Sequence, residues 1–274
     1  MPAIIANLTG GHLEPTPHAA ENLRAAAGEE PTGVYTVFRT YRRNQAVRLD
    51  AHFRRLEESA GLEGVQIELD REHIRAALRQ LIDLAGYPES RLRMTIPFDR
   101  PQEPVLAIEP LQSVSANLRA NGVKAATVQL TRRNPRAKSN TWEAVRAKAL
   151  HQLSDDVYEG LLVDEGGQIL EGFTSNIYAV QGQDLQTPEA GILHGVSRQI
   201  LLDVLPSDLH LVHRPIRLES LAAINEFFLT SSSRGVVPII QIDDHIIGDG
   251  KPGPWTLRLD HRYRQWVEDH LEPI

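Results

Sequence analysis

From residue 70 to 85, apolar side chains return every third or fourth position, at Ile74, Ala77, Leu78, Leu81 and Ile82. This spacing predicts a helix with one buried face. Residues 34–41 behave differently: they are rich in β-branched and aromatic side chains with partial alternation, the pattern of a strand. After the turn-like Arg43-Asn44-Gln45, residues 46–49 read as a second strand, so a hairpin is expected. Asp50 stands where it can cap a helix over 51–60 that ends before Gly61. Strands follow at 91–96 and 105–108, separated by the proline-rich loop 97–104.

The stretch 111–122 is polar and weakly patterned, which reads as a connection between domains. Beyond it, 123–130 reads as a strand, a loop runs to Ser139, and 141–153 reads as a helix. Apolar strands are expected at 160–163, 177–180 and 227–230. Gly195-Val196-Ser197 opens a helix carrying Ile200, Leu201, Val204 and Leu205. The expected organisation is therefore α+β, with a small N-terminal domain over 1–111, a linker over 112–122 and a large C-terminal domain over 123–274. No internal repeat or low-complexity tract interrupts it.

Composition narrows the chemistry. A chain of 274 residues, 41% hydrophobic and 24% charged, is long for one modest core and suits two domains. Its formal net charge of -7 comes without a basic stripe, so no nucleic-acid partner is expected. The absence of cysteine excludes disulfides, thiolate metal sites and cysteine nucleophiles. The 11 histidines show no metal-ligand spacing, so no metal is expected. No apolar run is long enough for a membrane span, and residues 1–7 lack the basic start and apolar stretch of a signal peptide; no membrane partner and a cytoplasmic location are the expectations. Lysine occurs only at Lys124, Lys138, Lys148 and Lys251. Arginine stays protonated and forms no imines, so any carbonyl chemistry must use one of these four.

Five places carry candidate chemistry. Lys138 lies in a loop between strand and helix, near Arg132, Arg133 and Arg136, which would favour its neutral amine if they share its environment. Glu171 is a carboxylate flanked by apolar residues, either a buried functional group or a paired structural one. Val196 and Ser197, after Gly195, open an apolar helix whose first-turn N–H groups form an anion site. Ser232 lies in the hydroxyl-rich turn 230–235 at the end of a strand. Arg55, on the helix after the expected hairpin, is a fork of donors suited to a phosphate. Singly, each has an ordinary reading: solvated lysine, structural ion pair, helix cap, polar turn, exposed arginine.

Their order along the chain is more informative. His52-x-x-Arg55-Leu56, then Lys138, then Glu171-x-x-x-Ser175-Asn176, then Leu193-x-Gly195-x-Ser197-Arg198, then the serine-rich turn before Val237-Pro238, resembles the class IV (fold-type IV) aminotransferases. That group includes branched-chain and D-amino acid aminotransferases and aminodeoxychorismate lyase. The likeness runs from about residue 33 to residue 253, and Lys138 and Glu171 stand 33 positions apart, an interval that fits the family pattern. It implies a two-domain α+β fold with pyridoxal 5′-phosphate between the domains, and a homodimer. Lys138 would hold the cofactor as a Schiff base and act in catalysis, and Glu171 would pair with the pyridine nitrogen. Arg55, Ser197, Ser232 and the main-chain N–H of Val196 would hold the phosphate. Tyr35, Arg93, Arg100 and Trp142 are the substrate-side candidates.

The pattern has departures. Thr36 stands where the family commonly has an acid, and Trp142 where a tyrosine often stands. The loop 97–104 has Arg100 but no histidine, and Arg91-Leu92-Arg93-Met94 replaces the Tyr-Ile-Arg-Pro of branched-chain enzymes. Neither named specificity is therefore carried over. The resemblance implies transfer of an amino group between an amino acid or primary amine and a 2-keto acid. A lyase forming 4-aminobenzoate and pyruvate on the same scaffold is the alternative. A noncatalytic cofactor- or partner-binding relative is a third reading, motivated by Thr36 and the divergent residues 1–32.

Overall fold

In a computed structural model, residues 2–16 and 19–274 are described. The chain forms two compact units, one of residues 1–112, 136–144 and 270–274, the other of 113–135 and 145–269.

The first unit is built on a five-stranded antiparallel sheet. Its strands lie in the order His12–Pro15, Ile4–Thr9, Val105–Pro110, Ser90–Pro97, Gly33–Arg39. Alternation along a strand sends neighbouring residues to opposite faces. Leu106 and Ile108 accordingly join Val34, Phe38, Leu92 and Met94 in the main core, while Val105 and Ala107 pack with Ile5, Leu23 and Ala26 on the other side. The helix Arg71–Ala85 buries the five residues its periodicity marked, Ile74, Ala77, Leu78, Leu81 and Ile82. Removing a large apolar side chain from water stabilises by about 1.5–3 kcal/mol, so this stripe holds the helix to the sheet. Asp70 accepts from the His73 N–H at its start, and Gly86 closes its end in the left-handed region.

Two local expectations change. Residues 46–49 do not form a hairpin with the strand Gly33–Arg39. Arg42 and Arg43 take positive φ and turn the chain, leaving a two-residue strand, Gln45–Ala46, that pairs with Glu272–Pro273. Leu49 then begins a helix, Leu49–Leu62, so Asp50 lies inside the first turn, where it bonds Arg75 instead of capping. Arg48, in the left-handed region, supplies no side-chain cap; the Leu49 N–H is satisfied by Glu272 Oε1 at 2.8 Å.

The second unit carries a ten-stranded mixed sheet. Its main path runs His210–His213, Asp184–Thr187, Asn176–Gln181, Glu226–Ser231, Gly235–Ile242, Val123–Gln129, Glu159–Val163, Gln168–Gly172, Ile216–Arg217. The fully buried strands Glu159–Val163 and Glu226–Ser231 sit well inside it, as their continuous apolar runs predict. The helix Val196–Asp203 starts at Gly195, and the helix Pro254–Asp269 packs against Gly235–Ile242.

The contiguous division expected from the sequence is redrawn. Residues 113–122 belong to the second unit and contain a helix, Ala116–Asn121, capped by Ser115. Arg119 on that helix donates to the Val236 and Arg234 carbonyls at 2.8 Å, so the segment is docked. The Lys138 segment, expected in the large domain, groups with the first unit. The helix expected over 141–153 is a 3-10 turn, Asn140–Trp142, leading into Glu143–Leu150.

Candidate active site

In the first unit, the Lys138 segment is pinned along the edge of the five-stranded sheet. Lys138 O accepts from the Tyr35 N–H at 2.9 Å, Lys138 N donates to Ser59 Oγ at 3.1 Å, and Val34 and Ser139 form an isolated bridge. Asn140 completes the attachment, accepting from the Gly33 N–H at 2.9 Å and donating to the Pro31 carbonyl at 2.8 Å. A loop lysine is thereby fixed by a rigid scaffold, and its Nζ stands 4.7 Å from the centre of the Tyr35 ring.

The guanidinium of Arg93 lies over the same ring, 3.8 Å from its centre. Arg93 is buried and held by two carboxylates, Glu30 at 2.8 Å and Glu143 at 2.9 Å, while its Nη2 has no hydrogen-bond partner. Thr95 also donates to Glu30. Burial raises the Glu30 carboxyl above its usual range, against the pull of Arg93 and Thr95. Arg100 instead stands exposed on the turn after Ser90–Pro97, beside Glu103, and Trp142 is half-buried in its 3-10 turn.

Arg55 occupies a third position in this unit. Its Nη2 donates to Thr36 Oγ1 at 2.7 Å, and Thr36 Oγ1 lies 2.7 Å from His52 Nδ1. Burial, then the charges of Arg55 and Lys138, hold the His52 imidazole well below the usual histidine range, so it is neutral at neutral pH. Burial pushes Arg55 down to about 10, and it remains charged. Its Nε is a buried donor without a protein acceptor, which suits an anion such as a phosphate oxygen.

In the second unit, Glu171 sits on the strand Gln168–Gly172, on the same face as Ile169 of the core. Its carboxylate accepts from Arg132 Nη1 at 3.0 Å and from the Leu193 N–H at 3.0 Å. Arg132, one of the arginines expected near Lys138, is thus engaged with Glu171. Asn176 secures the same segment, donating to the Leu193 carbonyl at 2.7 Å and accepting from the Gly195 N–H at 3.2 Å. A Cβ on residue 195 would come within 2.5 Å of Asn176 Oδ1, which is why glycine fits there. Glu171 and Asn176 therefore set the start of the helix Val196–Asp203. Gly195 gives that helix no side-chain cap, so its first-turn N–H groups, those of Val196 and Ser197 among them, could meet an anion.

Ser232 lies in the turn that joins Glu226–Ser231 to Gly235–Ile242. Arg234 braces this turn, with Nε 2.8 Å from Ser231 Oγ and Nη2 2.7 Å from Glu159 and 2.8 Å from Thr174 Oγ1. The loop after Glu171 and the serine turn are thus tied to one ion pair. Sequence reading did not assign Thr36, His52, Glu30, Glu143, Asn176 or Arg234 these positions. The Glu-x-x-x-Ser-Asn and Leu-x-Gly spacings did contain the Asn176 contact. Among the described residues, no group of three or more potential ligands could hold a metal, and no helix is long and apolar enough to cross a membrane.

Residues 33–242 match the family described as amino-transferase class IV. The chain belongs to the class IV aminotransferases. A Methanocaldococcus jannaschii protein provisionally named as a branched-chain-amino-acid aminotransferase is 29% identical over 153 residues, 53% of each chain, so this match spans about half of that relative. A Bacillus licheniformis D-alanine aminotransferase is 26% identical over 277 residues, covering 92% of this chain and 93% of its own. Among solved structures, a branched-chain amino acid aminotransferase from T.th., with pyridoxamine 5′-phosphate, is 21% identical. It has a TM-score of 0.80 and covers 100% of this chain and 99% of its own, a likeness of fold. The fold of this class IV aminotransferase is thus the α+β fold-type IV arrangement, and class IV aminotransferases bind pyridoxal 5′-phosphate.

Proposed function

We propose that the protein uses pyridoxal 5′-phosphate to move an amino group between an amino acid, or another primary amine, and a 2-keto acid, with Lys138 carrying the cofactor. The observation that carries this reading is the fixing of one lysine of four. Lys138 is pinned through both its N–H and its carbonyl, with Nζ against Tyr35, whereas Lys124 is an exposed ammonium paired with Asp156 and Lys251 is exposed. Names of the relatives support transfer over the lyase alternative.

The residues present fit the cofactor. Arg55 offers a buried, charged donor with an unfilled Nε, and Val196 and Ser197 offer first-turn donors; with Ser232 they are the proposed phosphate ligands. Glu171, held by Arg132 and the Leu193 N–H, is the proposed partner of the ring nitrogen. When bound, the cofactor withdraws electrons from the carbon that loses its proton. Lys138 Nζ, displaced by the incoming amine, would take the proton from the substrate α-carbon and pass it to the cofactor, and would carry it back in the reverse half of the exchange. Tyr35 and Trp142 are proposed to border the substrate. The homodimer and cytoplasmic location implied by the resemblance belong to the same proposal.

The test is an absorption spectrum of the purified protein before and after panels of L- and D-amino acids. A yellow band that bleaches with one set and returns with a keto acid supports transfer and gives its handedness. A yellow protein inert to every amino acid, releasing pyruvate from aminodeoxychorismate, would favour the lyase instead. Lys138→Ala must lose turnover; a variant with normal activity would remove the assignment.

A further inference from the structure

Among the described residues, the two other buried arginines each hold a carboxylate, Arg93 with Glu30 and Glu143 and Arg198 with Glu189, and the half-buried Arg132 and Arg234 hold Glu171 and Glu159. Arg55 is as buried and is held differently. Its side-chain partners are Thr36 Oγ1 at 2.7 Å and His52 Nδ1 at 3.4 Å, both neutral. Arginine only donates, so Thr36 Oγ1 and His52 Nδ1 both face it as acceptors; Nδ1 then carries no hydrogen, and Thr36 gives its own proton to it, 2.7 Å away. Thr36 is wholly buried on the strand Gly33–Arg39, and His52 is packed 5.4 Å from the Phe38 ring, so neither acceptor is free to leave. Glu58, the carboxylate that acts on Arg55, is exposed and works through space, so the hydrogen bonds that fix the buried cation are neutral and leave its charge for an anion that arrives later.

We propose that Thr36 and His52 are positioning residues for the cofactor's phosphate. They fix the Arg55 guanidinium without neutralising it, leaving its Nε edge and full charge available to the phosphate. This inference rests on the proposed function, and the experiment separates the two.

The full-length protein, stripped of cofactor, is titrated with pyridoxal 5′-phosphate and separately with pyridoxal, which lacks the phosphate, following the absorption of the lysine adduct. Thr36→Val, which keeps the shape and removes the acceptor, is expected to weaken the phosphorylated form roughly ten-fold, the factor of one charge-assisted hydrogen bond. Pyridoxal should change by less than about two-fold on the same scale. Thr36→Ser should restore the phosphorylated form's affinity. Equal loss for both ligands, or no loss in Thr36→Val, overturns the inference while the lysine adduct still supports the function. If the wild-type protein forms no adduct, the function fails instead. Inorganic phosphate measured by calorimetry then makes the same comparison: weaker binding in Thr36→Val, restored in Thr36→Ser, supports the role of Thr36, and unchanged binding removes it.

Discussion

His52 makes the surroundings of Arg55 acid-labile, and the size of that effect follows from its burial. The folded protein holds the imidazole well below its usual value, first by burial and then by Arg55 and Lys138. A depressed pKa contributes stability that is present above the unfolded value of about 6.5 and lost as pH falls toward the folded value. Each pH unit below about 6.5 therefore costs about 1.4 kcal/mol while the folded histidine stays neutral, and the loss between pH 7.5 and 5.5 is about 1.4 kcal/mol. In His52→Asn, the amide oxygen can take the Thr36 proton in place of Nδ1 and does not titrate. Urea unfolding of the first unit, followed by Trp142 with Trp255 and Trp266 replaced by Phe, reads the difference. With a slope of about 2 kcal/mol per molar urea, the gap between wild type and variant should shift by about 0.7 M toward the variant on going from pH 7.5 to 5.5. The other ten histidines and the carboxylates act equally on both proteins. A gap independent of pH, or one moving in the opposite direction, would refute a buried neutral His52.

Two further predictions follow from local geometry. Gly195→Ala places a Cβ within 2.5 Å of Asn176 Oδ1 and must break its hold on Leu193 and Gly195. Cofactor affinity should fall at least ten-fold on the order of one or two lost polar contacts, and unchanged affinity in an equilibrium titration would show that this segment does not serve the phosphate. Glu272→Ala removes the acceptor for the Leu49 N–H at a helix start without its own cap, and should cost about 1 kcal/mol. The same Trp142 urea assay checks it; an unmoved midpoint would mean that water replaces the carboxylate at no cost.

Much of this fold was legible from periodicity. Ile74, Leu78 and Ile82 marked a helix because one stripe of it is buried, and the strands 159–163 and 226–231 read clearly because every residue in them is buried. The strand Ile4–Thr9 and its partner His12–Pro15 went unread, although Gly10-Gly11 between them is a turn signal. The helix Ala116–Asn121 read as linker because it buries no residue fully and so shows no stripe. Residues 46–49 misled because Val47 and Leu49 are apolar for core packing, while the left-handed backbone at Arg42, Arg43 and Arg48 carries no signal in arginine. At the candidate site, Lys138, Glu171, Arg55 and Arg93 were marked in the sequence as candidates. Their partners were not: Glu30 and Glu143 reach Arg93 from 63 and 50 positions away, and Arg132 reaches Glu171 from 39. Long-range ion pairs leave no local pattern, and the chain must be folded to reveal them.

The central claim is that Lys138 carries the cofactor. Borohydride reduction of the protein with pyridoxal 5′-phosphate, followed by peptide mass mapping, tests it on the atom itself. A single phosphopyridoxyl group on the peptide containing Lys138, absent from the Lys138→Ala variant, is the predicted result. Stoichiometric labelling at Lys124, Lys148 or Lys251 with Lys138 unmodified, or no label at all, would contradict it.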